Sequence, residues 1–309
     1  CSSFVYNATC VPDLRFLDST DISKLHLKPV DSKKLGKLVN EVNLDSSKGK
    51  VPLPHAQLQG DCDSTNHRFA LVMGNNTYTH FGPLATCEND ARAMASELGK
   101  LGFTVTALLS QGKSDADAAI QDFINMLPTS PCEVCVHFSG HGLEIDGENF
   151  LVPVDASSSA SKEAIKQECI SLKHLLACFY EKLAGNVLLI FFLDCCRENP
   201  TKSIKFKSSF AKLDFSSPLR MFVGFATAPG QLAAAKDPKI PNLSPFTYAI
   251  VDSLANISIS SSNIDIFMQS VRGLVEDVTS GKQSPFHETN FRQNFRFRRS
   301  GSDDQMELA

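Results

Sequence analysis

The sequence has no run of 18 apolar residues, so no segment of it reads as a membrane span. It has no excess of either charge: the formal net charge is −4. That balance gives no electrostatic reason to expect nucleic acid or an anionic membrane surface as a partner. Neither GxGxxG nor a P-loop follows its first strand-like stretch, which argues against nucleotide chemistry. No internal repeat is visible. The ten cysteines are scattered rather than set in the dense framework of a small secreted domain. Several lie in apolar runs, where a thiol packs as a small hydrophobe, and a reducing, cytoplasmic setting is the expectation. "NAT" at Asn7 and "NNT" at Asn75 match glycosylation acceptors, a pattern common by chance. The chain starts at Cys1, without a charged-then-apolar leader, which reads as a fragment or processed form.

What is present suffices for a large core. Hydrophobic residues make up 42% and charged residues 21% of the 309, ordinary for a globular protein. Residues 1–66 are rich in Pro, Ser, Lys and Asp and read as an extension or linker, with "KKLGKLVNEVNL" their one helical-looking piece. From His67 a regular alternation begins. "RFALVMG", "FTVTALL", "EVCVHFSG", "NVLLIFFLD" and "RMFVGFATA" read as strands. "ENDARAMASELGKLG", "SDADAAIQDFINML", "SLKHLLACFYEKL", "PFTYAIVDSLA" and "IDIFMQSVRGLVEDV" read as helices, the second capped by Ser114 or Asp115. "ETNFRQNFRF" alternates like a last strand. Strands apolar on both faces, alternating with helices, predict an α/β fold: a mostly parallel sheet of about six strands with helices on both faces.

In such sheets the site lies beyond the carboxyl ends of the strands. "SGHG" (139–142) and "DCCREN" (194–199) stand at two of those ends. An imidazole beside a thiol can take its proton and later return it to a leaving amine. His141 and Cys196 are therefore the candidate catalytic pair, 55 residues apart. The glycines flanking His141 remove side-chain bulk. The backbone N–H groups of Gly142 and Cys196 are then the candidate oxyanion hole. Taken alone, a His after a strand is usually a turn or capping residue, and a Cys at a strand end is usually packing. Together, with an Asp two residues before Cys196, they are hard to read as core. Cys132, Cys135, His137 and His141 loosely match a zinc pattern. On one strand, however, Cys132 and Cys135 point to opposite faces, and "CEVC" holds no turn.

"HFSGHG" followed by "LDCCRENP" resembles the caspase-like cysteine peptidases, the group of caspases, metacaspases and paracaspases. "ALVMGNNTYTHFGPLATCENDARAMASELGKLGFTV", "GENFLVPVDA" and "GFATAPGQLA" are similar to that group in the same order. The resemblance covers residues 67–297 and implies a caspase-hemoglobinase fold, with His141 as general base and acid, Cys196 as nucleophile and Cys195 as its non-catalytic neighbour. The Gln-Ala that precedes the Cys in caspases is absent. Asp194 stands there instead, and in the metacaspase and paracaspase branches this Asp and one at the start of the first helix, here Asp90, line the pocket for the residue before the cut bond. Two carboxylates in a narrow pocket call for a cation, and the permanently charged, forked Arg fits best. The implied activity is an endopeptidase cutting protein or peptide substrates after Arg, with Lys second. Asp90 also reads as an ordinary helix-start charge.

Metacaspases often bind calcium on an acidic loop after the catalytic His. Here Glu144, Asp146, Glu148 and Asp155 are sparse and the return to strand is quick, which favours the paracaspase branch, no cofactor, no metal and no calcium switch. Paracaspases carry a further acid after the 219–227 strand. This chain reads "APGQLAAAKD" there, with Asp237 as a substitute. The resemblance makes 199–219 the loop between larger and smaller portions, with Lys202, Lys205 and Lys207 as candidate self-cleavage sites, although a solvated loop also explains it. Residues 298–309 read as a flexible tail after an exposed basic run, itself a candidate for trimming. The last strand is a candidate homodimer seam. Two other readings compete: a catalytically weak scaffold that binds proteins, which such relatives become by losing the Cys or the His, and a redox sensor at Cys195–Cys196, which the strained ring of adjacent cysteines disfavours.

Overall fold

A computed structural model describes residues 67–129, 131–157, 161–183, 187–196, 220–227, 237, 239–240, 242–257, 264–290, 295 and 297, with residue 196 described by its backbone. The extension 1–66, the 199–219 loop with its lysines and the 298–309 tail lie outside them.

The chain alternates strand and helix: β1 (His67–Gly74), α1 (Cys87–Lys100), β2 (Thr104–Leu109), α2 (Lys113–Met126), β3 (Cys132–Ile145), β4 (Glu148–Leu151), α3 (Lys162–Glu168), β5 (Ile170–Ser171), α4 (Leu172–Lys182), β6 (Val187–Cys196), β7 (Arg220–Phe225), α5 (Pro245–Ala255), α6 (Ile264–Thr279) and β8 (Phe286–Thr289). The sheet runs β2-β1-β3-β6-β7-β8, with β4 and β5 attached beyond β3. The five strands from β2 to β7 pair in parallel, and β8 closes the edge antiparallel to β7. The sheet is thus mostly parallel.

Doubly buried strands explain the near-continuous apolar runs. One face packs Val134, Val136 and Phe138 of β3 and Leu189, Phe191 and Leu193 of β6 against α2 and α4, through Ile120, Phe123, Leu175 and Phe179. The other packs Ile190 and Phe192 against Met94 of α1, Phe246 and Ile250 of α5 and Phe267 and Val271 of α6. Each large apolar side chain so buried is worth about 1.5–3 kcal/mol. Positions on β3 and β6 that face α1 and α5 turn polar only near the strands' carboxyl ends, and the candidate site lies there.

Three local features differ from the sequence expectation. Helix α2 starts one residue early. Its N-cap is Gly112, with no side-chain cap of its own, so neither Ser114 nor Asp115 caps it. Asp155, distant in sequence, instead accepts the Lys113 N–H at 2.8 Å. A Cβ on Gly112 would come within 2.7 Å of that carboxylate, so the glycine makes room for the long-range cap. Strand β3 runs five residues past Gly140 and folds back on β4 through Asp146 and Gly147, both at positive φ. The last strand is centred earlier than the "ETNFRQNFRF" alternation: β8 ends at Thr289, and residues 291–294 and 296 lie outside the described residues.

Candidate active site

Strands β1, β3 and β6 end side by side. Their register pairs Gly74 with Ser139, Ser139 with Asp194, Gly140 with Cys195 and His141 with Cys196. Partnered Cα atoms on neighbouring strands are separated by about one inter-strand spacing, ~4.8 Å. The two segments singled out in the sequence are therefore adjacent along their backbones. Cys195 is buried among Leu193 and Phe225 on the α2/α4 face. Gly142 opens the β3–β4 hairpin opposite Leu151.

The loop after β1 holds His141. Asn75 anchors that loop with its N–H on the Ser139 carbonyl at 3.0 Å and its side-chain amide on the Val152 carbonyl at 3.0 Å. This buried amide is committed to structure, which leaves the glycosylation match without support. Further along the loop, Tyr78 Oη accepts the His141 backbone N–H at 2.9 Å, and the Gly82 carbonyl lies 2.7 Å from His141 Nε2. A carbonyl only accepts, so Nε2 carries the proton and the lone pair of the neutral ring sits on Nδ1. The Tyr78 and Phe81 rings lie 4.6 and 5.8 Å from the imidazole and wall it in. Gly140 makes this approach possible: a Cβ there would come within 2.7 Å of both Tyr78 Oη and Phe138 Cζ.

Beside the histidine lie two buried acids. Asp90, in the first turn of α1, is 0% exposed, and Asp194 on β6 is 4% exposed. Asp90 Oδ1 accepts the Ser244 N–H at 2.8 Å, while its Oδ2 accepts the hydroxyls of Ser139 at 2.8 Å and Thr86 at 3.1 Å. Asp194 Oδ2 accepts the hydroxyls of Ser244 and, at 2.7 Å, of Thr247. Ser244 caps α5 by accepting the Thr247 N–H at 3.0 Å, so one residue ties the helix start to both carboxylates. Burial raises both carboxyls above their usual range. For Asp90 the neighbouring Asp194 charge adds to the rise, and the donated hydrogen bonds only partly oppose it. A single anion is costly there and two are costlier.

The sequence reading singled out Asp90, Asp194, His141, Gly142 and Cys196, and the fold brings them to one end of the sheet. It missed Tyr78, Gly82, Ser139, Ser244 and Thr247, and it placed His137 only in the zinc pattern. Ser244-Pro245 followed by Thr247 does carry a legible signal, a Ser N-cap with Pro at the first helical position. Nothing in the sequence tells that the capped end meets two carboxylates. Asp237 accepts the Lys239 N–H at 2.9 Å within its own turn. Most of the surrounding "APGQLAAAKD" segment lies outside the described residues. The zinc pattern does not assemble. Cys132 and Cys135 pack into opposite clusters, and burial pushes their thiols up, Cys132 to about 11. Among the described residues no three His, Cys, Asp or Glu side chains are grouped to hold a metal ion. Asp146 is instead paired with Lys162 at 2.9 Å and Lys166 at 2.8 Å.

A family model for the caspase domain matches residues 67–296. The chain belongs to the caspase-domain family. This caspase domain is 30% identical over 131 residues to mucosa-associated lymphoid tissue lymphoma translocation protein 1 of Homo sapiens, and likewise to its Mus musculus homolog. Each alignment covers 42% of this chain and 15% of the relative, so the chain spans a small part of the curated proteins it matches. Among solved structures, caspase-1 from Spodoptera frugiperda superposes with a TM-score of 0.54 at 16% identity, over 79% of this chain and 97% of that one. A Geobacter sulfurreducens protein does so at 0.54 and 17%, over 76% and 98%. At these identities the likeness is one of fold. The family model and these relatives make the chain a caspase-like domain of the paracaspase or metacaspase type, a peptidase scaffold.

Proposed function

We propose that this caspase domain is a cysteine endopeptidase that cuts protein chains after basic residues, Arg before Lys, through His141 and Cys196. The observation that carries the proposal is the buried Asp90–Asp194 pair: Asp194 stands two residues before Cys196 and pairs with Ser139, two residues before His141.

In this reading His141 Nδ1 takes the Cys196 thiol proton, and the thiolate attacks the carbonyl carbon of the peptide bond. The N–H groups of Gly142 and Cys196 receive the developing oxyanion, each worth about 3 kcal/mol in acyl transfer. The tetrahedral species collapses, the C–N bond breaks, and His141 gives its proton to the departing amine. Water then hydrolyses the thioester. The Gly82 carbonyl and Tyr78 keep the ring in one tautomer and one orientation through both proton transfers. A guanidinium in the acid pocket relieves the repulsion and desolvation that raise both carboxyls, and its fork matches two acceptors better than an ammonium does. The pocket gives no such reward to an acidic residue. No metal enters this chemistry. A cytoplasmic setting and pairing of two copies along the β8 edge fit the reading.

Hydrolysis of fluorogenic peptides ending in Arg, Lys or Asp, by the wild type and by Cys196→Ala, with and without calcium, tests it. The order Arg, then Lys, with Asp peptides uncut and Cys196→Ala inactive, is expected, and calcium should change little. Preference for Asp overturns the pocket assignment. Activity surviving in Cys196→Ala overturns the nucleophile, and total inactivity of the wild type favours the scaffold reading.

A further inference from the structure

His137 is wholly buried, set on β3 between Val72 of β1 and Phe192 of β6, where the strand pattern otherwise calls for an apolar side chain. Its Nε2 lies 3.1 Å from Thr247 Oγ1. The Thr247 hydroxyl has one proton, and that proton goes to Asp194 Oδ2 at 2.7 Å. Thr247 can therefore only accept from the ring, which fixes the Nε2–H tautomer. The other nitrogen, Nδ1, is buried and has no hydrogen-bond partner among the described residues. An imidazole in this position costs stability that Phe or Leu would not. Burial also depresses its proton affinity, to a pKa of about 3, so the ring stays neutral and adds no cation to the pocket.

We propose that His137 is a positioning residue for the basic-residue pocket, its ring N–H orienting the Thr247 hydroxyl so that Thr247 and Ser244 together hold the Asp194 carboxylate in one rotamer. The inference deepens, and rests on, the assignment of Asp90 and Asp194 as the pocket. Both hydroxyls converge on the same oxygen of Asp194, so the other oxygen takes neither. Oriented donors in series strengthen one another in a dry interior. Without the ring, the Thr247 hydroxyl is free to turn toward another acceptor, and Asp194 loses its fixed plane. A guanidinium needs that plane more than an ammonium does, so the chain from His137 sets the preference for Arg over Lys.

Steady-state kinetics on Arg- and Lys-ending peptides, with thermal melts alongside, tests this for His137→Phe, His137→Gln, Thr247→Val and Thr247→Ser. His137→Phe and Thr247→Val should raise KM for the Arg peptide roughly tenfold with kcat changed less than twofold, and should narrow the Arg/Lys ratio. His137→Gln and Thr247→Ser, which keep a donor and a hydroxyl, should recover most of that loss. The double variant His137→Phe/Thr247→Val should be no worse than either alone. A merely structural His137 would leave KM and the Arg/Lys ratio of His137→Phe at wild-type values, and that result overturns the inference while the pocket stands. A wild type without preference for basic residues overturns both. Where His137→Phe fails to fold, Thr247→Val against Thr247→Ser decides in the same way.

Discussion

Ser244 donates its N–H to Asp90 and its hydroxyl to Asp194, which only partly offsets the burial that governs the acid pair. A folded-state carboxyl held above its unfolded value of about 3.9 binds its proton more tightly in the native state. As pH rises from that value through the raised one, the native state gives up protons that the unfolded state has already lost, and stability falls. Affinity for a basic peptide runs the other way, because the ionised pair attracts the cation. The caspase domain should therefore melt at lower temperature as pH rises through this window while KM for Arg peptides drops over the same range, as melts and kinetics in matched buffers will read. Asp90→Asn keeps an acceptor for the Ser244 N–H and removes the charge. It should raise the melting temperature at neutral pH and raise KM for Arg peptides at least tenfold. An unchanged KM would separate Asp90 from the pocket. At the histidine, Tyr78→Phe removes the acceptor of the His141 N–H, a loss of about 1–3 kcal/mol. Its kcat should fall more than its KM rises, because the ring loses orientation while the acid pair is untouched.

Strand β3 is the element that decides the layout. Its period of two sends Val134, Val136 and Phe138 into one apolar layer and Cys135, His137 and Ser139 toward α1 and α5. Helix α1 reaches the site only because Gly74 lets it close on β1: a Cβ at Gly74 would stand 2.1 Å from the Cys87 carbonyl oxygen. Gly74→Ala should push the Asp90 turn outward, lowering stability by about 1–3 kcal/mol and weakening Arg-peptide binding together, read by denaturant melts and KM. The strands and helices were legible in the sequence because doubly apolar strands and 3.6-residue helices leave separate patterns. The α2 cap was not, because Asp155 supplies it across a sequence separation of 42. The same reason hid Gly82, Ser244 and Thr247. The Gly82 carbonyl meets His141 only once the loop after β1 has folded over β3, and the two hydroxyls meet Asp194 only once α5 has docked on the sheet. His141 and Asp194 were legible as polar groups at strand ends. His137, two positions from a polar Ser139, looked like part of a weak metal pattern until its burial was known.

Across the whole molecule, Arg68 ties the last described residues to the first strand. Its guanidinium pairs with Glu133 at 2.7 Å, donates to the Leu101 and Phe297 carbonyls, and lies 5.1 Å from the Phe103 ring. Phe295 and Phe297 are buried against Phe267 and Phe192, so "FRF" is core at its phenylalanines rather than exposed basic tail. Arg68→Met removes the contact to the part-buried Glu133 and the bonds to the Leu101 and Phe297 carbonyls, and should cost about 1–3 kcal/mol in a urea melt. Loss of much less would mean that the clasp adds little. Among the described residues no helix is long and apolar enough to cross a membrane. A strand-end imidazole, the neighbouring position 196 and the acid pair together form the proposed peptidase centre. Its most direct measurement is trapping with a peptidyl electrophile ending in Arg, followed by mass spectrometry of the digested protein. A single adduct on Cys196, lost in His141→Ala and strongly reduced in Asp194→Asn, is the predicted result. An adduct on another cysteine, or equal labelling of Cys196 by an otherwise identical electrophile ending in Asp, would contradict it.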